Sequence, residues 1–106
     1  MDTNAMQHCG SDRGSHELAR GLAALGHPRR IEILAYLAER RACCCKEVVE
    51  RIDLAQSTVS QHLKVLVEAG LVRCCPDRQR SVYAVDEAAL AKLSAGLADL
   101  QKRVGA

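Results

Sequence analysis

Along most of the chain, apolar positions recur at three- and four-residue intervals, the spacing of helices with one buried face; after Gly70 the interval becomes two. Residues 1–14 are polar, carry Gly10 and Gly14, and read as a flexible arm. Ser15 stands where it can cap a first helix, in which Leu18, Leu22 and Leu25 share one face. Gly26-His27-Pro28 ends that helix and begins a second, from about Pro28 to Arg40. Its expected buried stripe is Ile31, Leu34, Leu37 and Ala38, with Ile33 and Tyr36 beside it. A short helix from about Lys46 to Arg51 presents Val48, Val49 and Ile52, and Asp53-Leu54-Ala55 is a turn. The next helix starts near Gln56 and ends at Gly70, where a left-handed residue suits a helix C-terminus. Val59, Leu63, Leu66 and Val67 line its inner face.

Leu71–Cys75 and Ser81–Val85 read as two strands joined by the polar turn Pro76–Arg80. Asp86 caps a final helix whose Leu90, Leu93, Leu97, Leu100 and Val104 form a narrow seam. The fold class expected is therefore mainly α with a small β-hairpin: a winged helix-turn-helix over residues 15–106. In that arrangement the helix from Gln56 is the reading element, and its width fits a major groove. Gln56, Ser57, Thr58, Ser60, Gln61, His62 and Lys64 surround its outer face with groups that bond base edges and phosphates. Arg78 and Arg80 at the hairpin tip, with Arg73 on the approaching strand, extend the basic surface.

Composition sets the limits. The 106 residues make one domain, and Tyr36 and Tyr83 are its only aromatics, so Leu, Ile, Val and Ala must build the core. No apolar run approaches the roughly 18 residues of a membrane span. The opening Met1-Asp2-Thr3-Asn4 lacks the basic and apolar regions of a secretory signal, which points to the cytoplasm and away from membranes. A net charge of +2 is too small to argue for nucleic acid by itself; local placement has to carry that reading. Ser-His-Asp order, a phosphate loop and paired acids are all missing, so catalysis and an organic cofactor are not expected.

The six cysteines, at positions 9, 43, 44, 45, 74 and 75, change the picture most. Reducing compartments disfavour disulfides, and clustered thiols there favour soft-metal or redox chemistry. Cys43 and Cys45 sit at a loop-to-helix boundary, where positions two apart can converge on one ligand. A helix N-terminus and the nearby Arg40, Arg41 and Lys46 favour the thiolate. Cys74 and Cys75 alternate along a strand, so one is expected buried and the other exposed.

The segments Leu25-Gly26-His27-Pro28-Arg29-Arg30-Ile31-Glu32-Ile33-Leu34, Gln56-Ser57-Thr58-Val59-Ser60-Gln61-His62-Leu63-Lys64-Val65-Leu66 and Glu68-Ala69-Gly70-Leu71-Val72 resemble the ArsR family of bacterial metal-sensing repressors. That resemblance implies a dimer that binds double-stranded operator DNA and leaves it when an effector binds. It also implies a homodimer interface built from the first and last helices, through Leu18, Leu22, Leu90, Leu93, Leu97 and Leu100. Ala42-Cys43-Cys44-Cys45-Lys46-Glu47 resembles the Cys-Val-Cys box of the arsenic- and cadmium-sensing members, with three departures. The middle residue is Cys44, the usual following acid is Lys46, and a third cysteine seen in some arsenic sensors is Val48. The third thiolate must then be Cys44 or come from elsewhere; Cys9, with His8 beside it, resembles the N-terminal ligands of cadmium-type members. Three thiolates suit arsenite or antimonite first and cadmium or lead second. A redox or reactive-sulfur sensor on the same scaffold is the alternative, and a thiol-rich module that ignores DNA is the remaining one.

Overall fold

The structure, a computed structural model, describes residues 9–105 and the side chains from Gly14 onward. Five helices and three strands follow in the order α1 (Cys9–Leu25), α2 (Pro28–Arg40), β1 (Cys43–Cys44), α3 (Cys45–Ile52), α4 (Gln56–Glu68), β2 (Val72–Asp77), β3 (Arg80–Val85) and α5 (Glu87–Gly105). Helix α1 thus opens at Cys9, and Ser15 lies inside it rather than at its cap.

Local chemistry explains most boundaries. His27 is extended, and its Nδ1 accepts from the Arg29 backbone N–H at 3.1 Å, so it caps α2 while Pro28 fills a position that needs no donor. Asp53 closes α3 in the left-handed region at φ 62°, and Leu54 drops onto the core before α4 begins. Gly70 takes φ 81° and turns the chain into β2, with the Leu71 N–H donating to the Leu66 carbonyl at 3.0 Å. The Asp86 carboxylate accepts from the Ala89 N–H at 3.0 Å and caps α5.

The core lies where α2, α3 and α4 meet the sheet. Ile33, Leu37, Val48, Val59, Leu63, Leu66 and Cys43 are fully buried there. The stripe on α2 differs from expectation: Ile33 is inside, whereas Ile31 and Ala38 are exposed. Helix α2 therefore sits rotated from the phase its strongest apolar spacing implied, because α3, α4 and β3 contact it together.

The sheet also differs. Instead of a two-stranded hairpin it has three strands in the order β1-β3-β2. Cys43 pairs with Tyr83 and Cys44 with Val82, so the cysteine box itself is the third strand. On the far side of β3, Cys74 pairs with Tyr83 and Cys75 with Val82. Pro76 is tolerated because β2 is an edge.

Helices α1 and α5 pack along one another outside this core. A Cβ on Gly21 would lie 2.7 Å from Leu93 Cδ1, and one on Gly96 would lie 3.3 Å from Leu18 Cδ1. Lys92 Nζ pairs with Glu17 at 3.2 Å, and Arg20 donates to the Glu68 carbonyl at 2.7 Å. The leucine seam is therefore split. Leu18 and Leu93 knit α1 to α5 within the chain, and Leu90 packs on the core. Leu22, Leu97, Leu100 and Val104 point outward. The radius of gyration is 16.3 Å, against about 13 Å for a compact domain of this size, because these two helices project.

Candidate DNA-reading surface and cysteine box

Helix α4 turns a continuous polar stripe outward. Gln56, Ser57, Ser60, Gln61 and Lys64 are all exposed and fall on one face at helical spacing. Thr58 and His62 leave that stripe: both are half-buried at its flank. His62 leans on α2, its ring centroid 4.6 Å from that of His27. Burial first, then the neighbouring His27 and Arg30, hold the His62 imidazole below its ordinary range. At the start of α4, Ala55 offers no side-chain cap, leaving first-turn N–H groups open to an anion such as a phosphate.

The hairpin carries Arg73, Arg78 and Arg80, all exposed. Arg78 takes φ 63° in the turn, a conformation that glycine or asparagine adopts more cheaply. A cationic side chain thus stands at the tip despite local strain. Arg80 pairs loosely with Asp77 at 3.8 Å.

The three sulfurs of the box go three ways. Cys43 points into the core, 1% exposed, against the Tyr36 side chain. Cys44, on the opposite face of β1, receives Arg80 Nη1 at 3.7 Å. Cys45 opens α3, and its Sγ lies 3.5 Å from Ser60 Oγ on α4. Glu47 accepts from the Cys44 backbone N–H at 2.9 Å. That bond and the Cys44 side chain hold the Glu47 carboxyl below its ordinary range.

Two expectations are corrected here. Cys43 and Cys45 do not converge: Cys43 faces the core from β1, whereas the chain turns into α3 at Cys45, whose sulfur faces Ser60 on α4. Nor is Cys43 an activated thiolate: burial first, then the Glu47 carboxylate, push its thiol up, and Arg40 offsets this only partly. Among the described residues, no three His, Cys, Asp or Glu side chains are gathered so as to hold a metal ion. A third correction concerns Cys74 and Cys75, which are both exposed, since β2 is an edge with little packed over its outer half. The side chains of Cys9 and His8 lie outside the described residues.

Sequence reasoning missed the links from the box to the reading elements, Cys45 to Ser60 and Cys44 to Arg80. These partners stand 15 and 36 residues apart, and no local pattern signals such contacts. The capping role of His27 was missed as well, although Pro28 at the first helical position is the signal that points to it.

Comparison with known proteins bears on this geometry. A family described as a helix-turn-helix domain matches residues 25–75. The HTH-type transcriptional regulator YgaV of Escherichia coli (strain K12) is 30% identical over 83 residues, spanning 78% of this chain and 84% of that one. The ArsR-like transcriptional regulator from Rhodococcus sp. RHA1 superimposes with a TM-score of 0.75 at 27% identity, covering 86% of this chain and 89% of that one.

The chain belongs to the ArsR/SmtB family of winged helix-turn-helix transcriptional repressors.

Membership makes it a transcription regulator and not an enzyme. Within the family, the arsenical resistance operon repressor of Staphylococcus xylosus is 34% identical over 67 residues, 63% of this chain and 64% of that one. The chain spans about half, 56%, of an HTH-type transcriptional regulator of Methanocaldococcus jannaschii, to which it is 38% identical over 50 residues. No helix among the described residues is long and apolar enough to cross a membrane.

Proposed function

We propose that this ArsR/SmtB-family chain represses transcription in the cytoplasm as a homodimer on a twofold operator, and that capture of arsenite or antimonite by its box thiols releases it. The observation that carries this reading is the position of the box. Three adjacent soft ligands form the strand and helix start at which α3, α4 and the wing meet. In this reading Gln56, Ser57, Ser60, Gln61 and Lys64 enter a major groove, with Thr58 and His62 at the stripe's edge, and Arg73, Arg78 and Arg80 contact the backbone or minor groove beside it. The outward Leu22, Leu97, Leu100 and Val104 meet their counterparts on a second copy, which sets the one-turn spacing two half-sites need.

The donor chemistry suits a soft ion, but the sulfurs are not assembled around one point. Capture therefore gathers Cys44 and Cys45 with Cys43 drawn from the core, or with Cys9, and the rearrangement is what the DNA-bound form resists. Effector and operator then oppose each other through a reciprocal coupling, commonly about 1–3 kcal/mol. The similarity to an arsenical resistance operon repressor supports the choice of ion.

A mobility-shift titration of fully reduced protein tests the reading, on a duplex selected in vitro with that protein. Arsenite should release wild type and fail to release Cys44→Ser/Cys45→Ser. Release by cadmium or lead alone would reassign the ion. Loss of binding without any ion, restored by dithiothreitol, would assign the chain to redox or reactive-sulfur sensing. No salt-dependent duplex binding at all would remove the DNA reading.

A further inference from the structure

The buried Cys44 and the half-buried Cys45 are already engaged, each with a different DNA-facing element. The Cys45 sulfur bridges from the first residue of α3 to Ser60, in the middle of the exposed stripe on α4. The Cys44 sulfur accepts from Arg80, the first residue of β3 at the base of the hairpin turn. Between them Cys43 and Cys44 pair with Tyr83 and Val82, which carry the wing. Other polar side-chain links among the described residues include Arg40–Glu47 between α2 and α3 and Arg80–Asp77 within the hairpin, but none of them ties α3 to α4 or β1 to β3.

We propose that Cys44 and Cys45 are positioning residues for the DNA-reading surface in the ion-free protein, Cys45 setting the placement of Ser60 and Cys44 that of Arg80. This rests on the reading that α4 and the wing face DNA, but not on the identity of any effector. Its consequence is direct coupling: the contacts that orient helix and wing are made by the atoms an ion would take. A thiol that binds As(OH)3 forms an As–S bond as an As–O bond breaks, and its proton leaves with the hydroxide as water, with no change of oxidation state. Cys45 then has no S–H to offer Ser60, and its sulfur is held where the As–S bond places it. No relay along a helix is required.

The test uses reduced, chelator-treated full-length protein with no thiophile, on the same selected duplex. Cys45→Ala should weaken binding by about three- to tenfold, the worth of one hydrogen bond. Cys45→Ser, which restores a hydroxyl partner for Ser60, should recover most of that loss. In the Cys45→Ala/Ser60→Ala cycle the losses should be clearly less than multiplicative, because either change alone breaks the link. Arg80→Ala with Cys44→Ala should behave likewise. If Cys45→Ala does not fold, Ser60→Ala should still quicken iodoacetamide labelling of Cys45. Multiplicative cycles, no rescue by serine, or an unchanged labelling rate would overturn the proposal. Arsenite release of wild type is measured in parallel, so an uncoupled cycle with intact release sinks this inference alone, and a coupled cycle without release sinks the effector reading alone.

Discussion

Labelling the native thiols with iodoacetamide should separate the buried Cys43 from the exposed Cys74 and Cys75 by one to three orders of magnitude. The sulfur of Cys43 is shut into the core by its pairing with Tyr83, while Cys75 stands exposed on the same sheet. Labelling Cys43 requires β1 to peel from β3. That opening exposes one small apolar side chain, at about 1 kcal/mol, and breaks the short ladder made by two residue pairs, at roughly 1 kcal/mol per bond. It also frees Arg80 from Cys44. The sum is about 2–4 kcal/mol, or roughly 30- to 700-fold slower labelling when opening precedes reaction. Since the thiolate is the reactive species and burial raises the Cys43 pKa, the rise of its labelling with pH should also be displaced upward. The assay is mass spectrometry of the peptides carrying each cysteine, in buffer and in denaturing urea, where all rates should converge. Native labelling of Cys43 within threefold of Cys75 would refute the argument that β1 seals that sulfur.

If the proposed dimer forms through α5, Leu97→Glu should shift it to monomer in analytical ultracentrifugation and weaken duplex binding at least tenfold, since a carboxylate replaces an outward leucine. Gly21→Val should lower the melting temperature, by about 1–3 kcal/mol of stability, because even a Cβ there meets Leu93 Cδ1 at 2.7 Å. Leu63→Ala should cost about 2–5 kcal/mol in urea unfolding, as the side chain is fully buried between α4 and its neighbours. For His62, the folded pKa lies below the ordinary 6.5, so the unfolded chain binds the extra proton first. Stability should therefore be full above pH 6.5 and fall as the pH drops through the folded value, and His62→Gln should flatten that part of the profile.

The sequence by itself determined the order of the helices and of the hairpin strands β2 and β3, because each follows from near neighbours. Leucines and valines at helical spacing define α1, α2, α4 and α5. Pro28, Gly70 and Asp86 mark ends through backbone geometry and caps. The polar stripe of α4 was legible in the same way, since its exposure is the complement of Val59, Leu63 and Leu66. Only the tertiary structure decided the state of the cysteine box. A two-residue strand has no periodicity of its own, and Cys43–Cys44 becomes one because β3 has an open edge beside it. That pairing, made across about forty residues of chain, turns Cys43 into core, hands Cys44 to the wing and leaves Cys45 for the reading helix. The same holds for Ile31 and Ile33, whose exchange of roles depends on which elements surround α2. Local spacing records which residues share a face; which face is covered, and by what, is settled where distant segments meet.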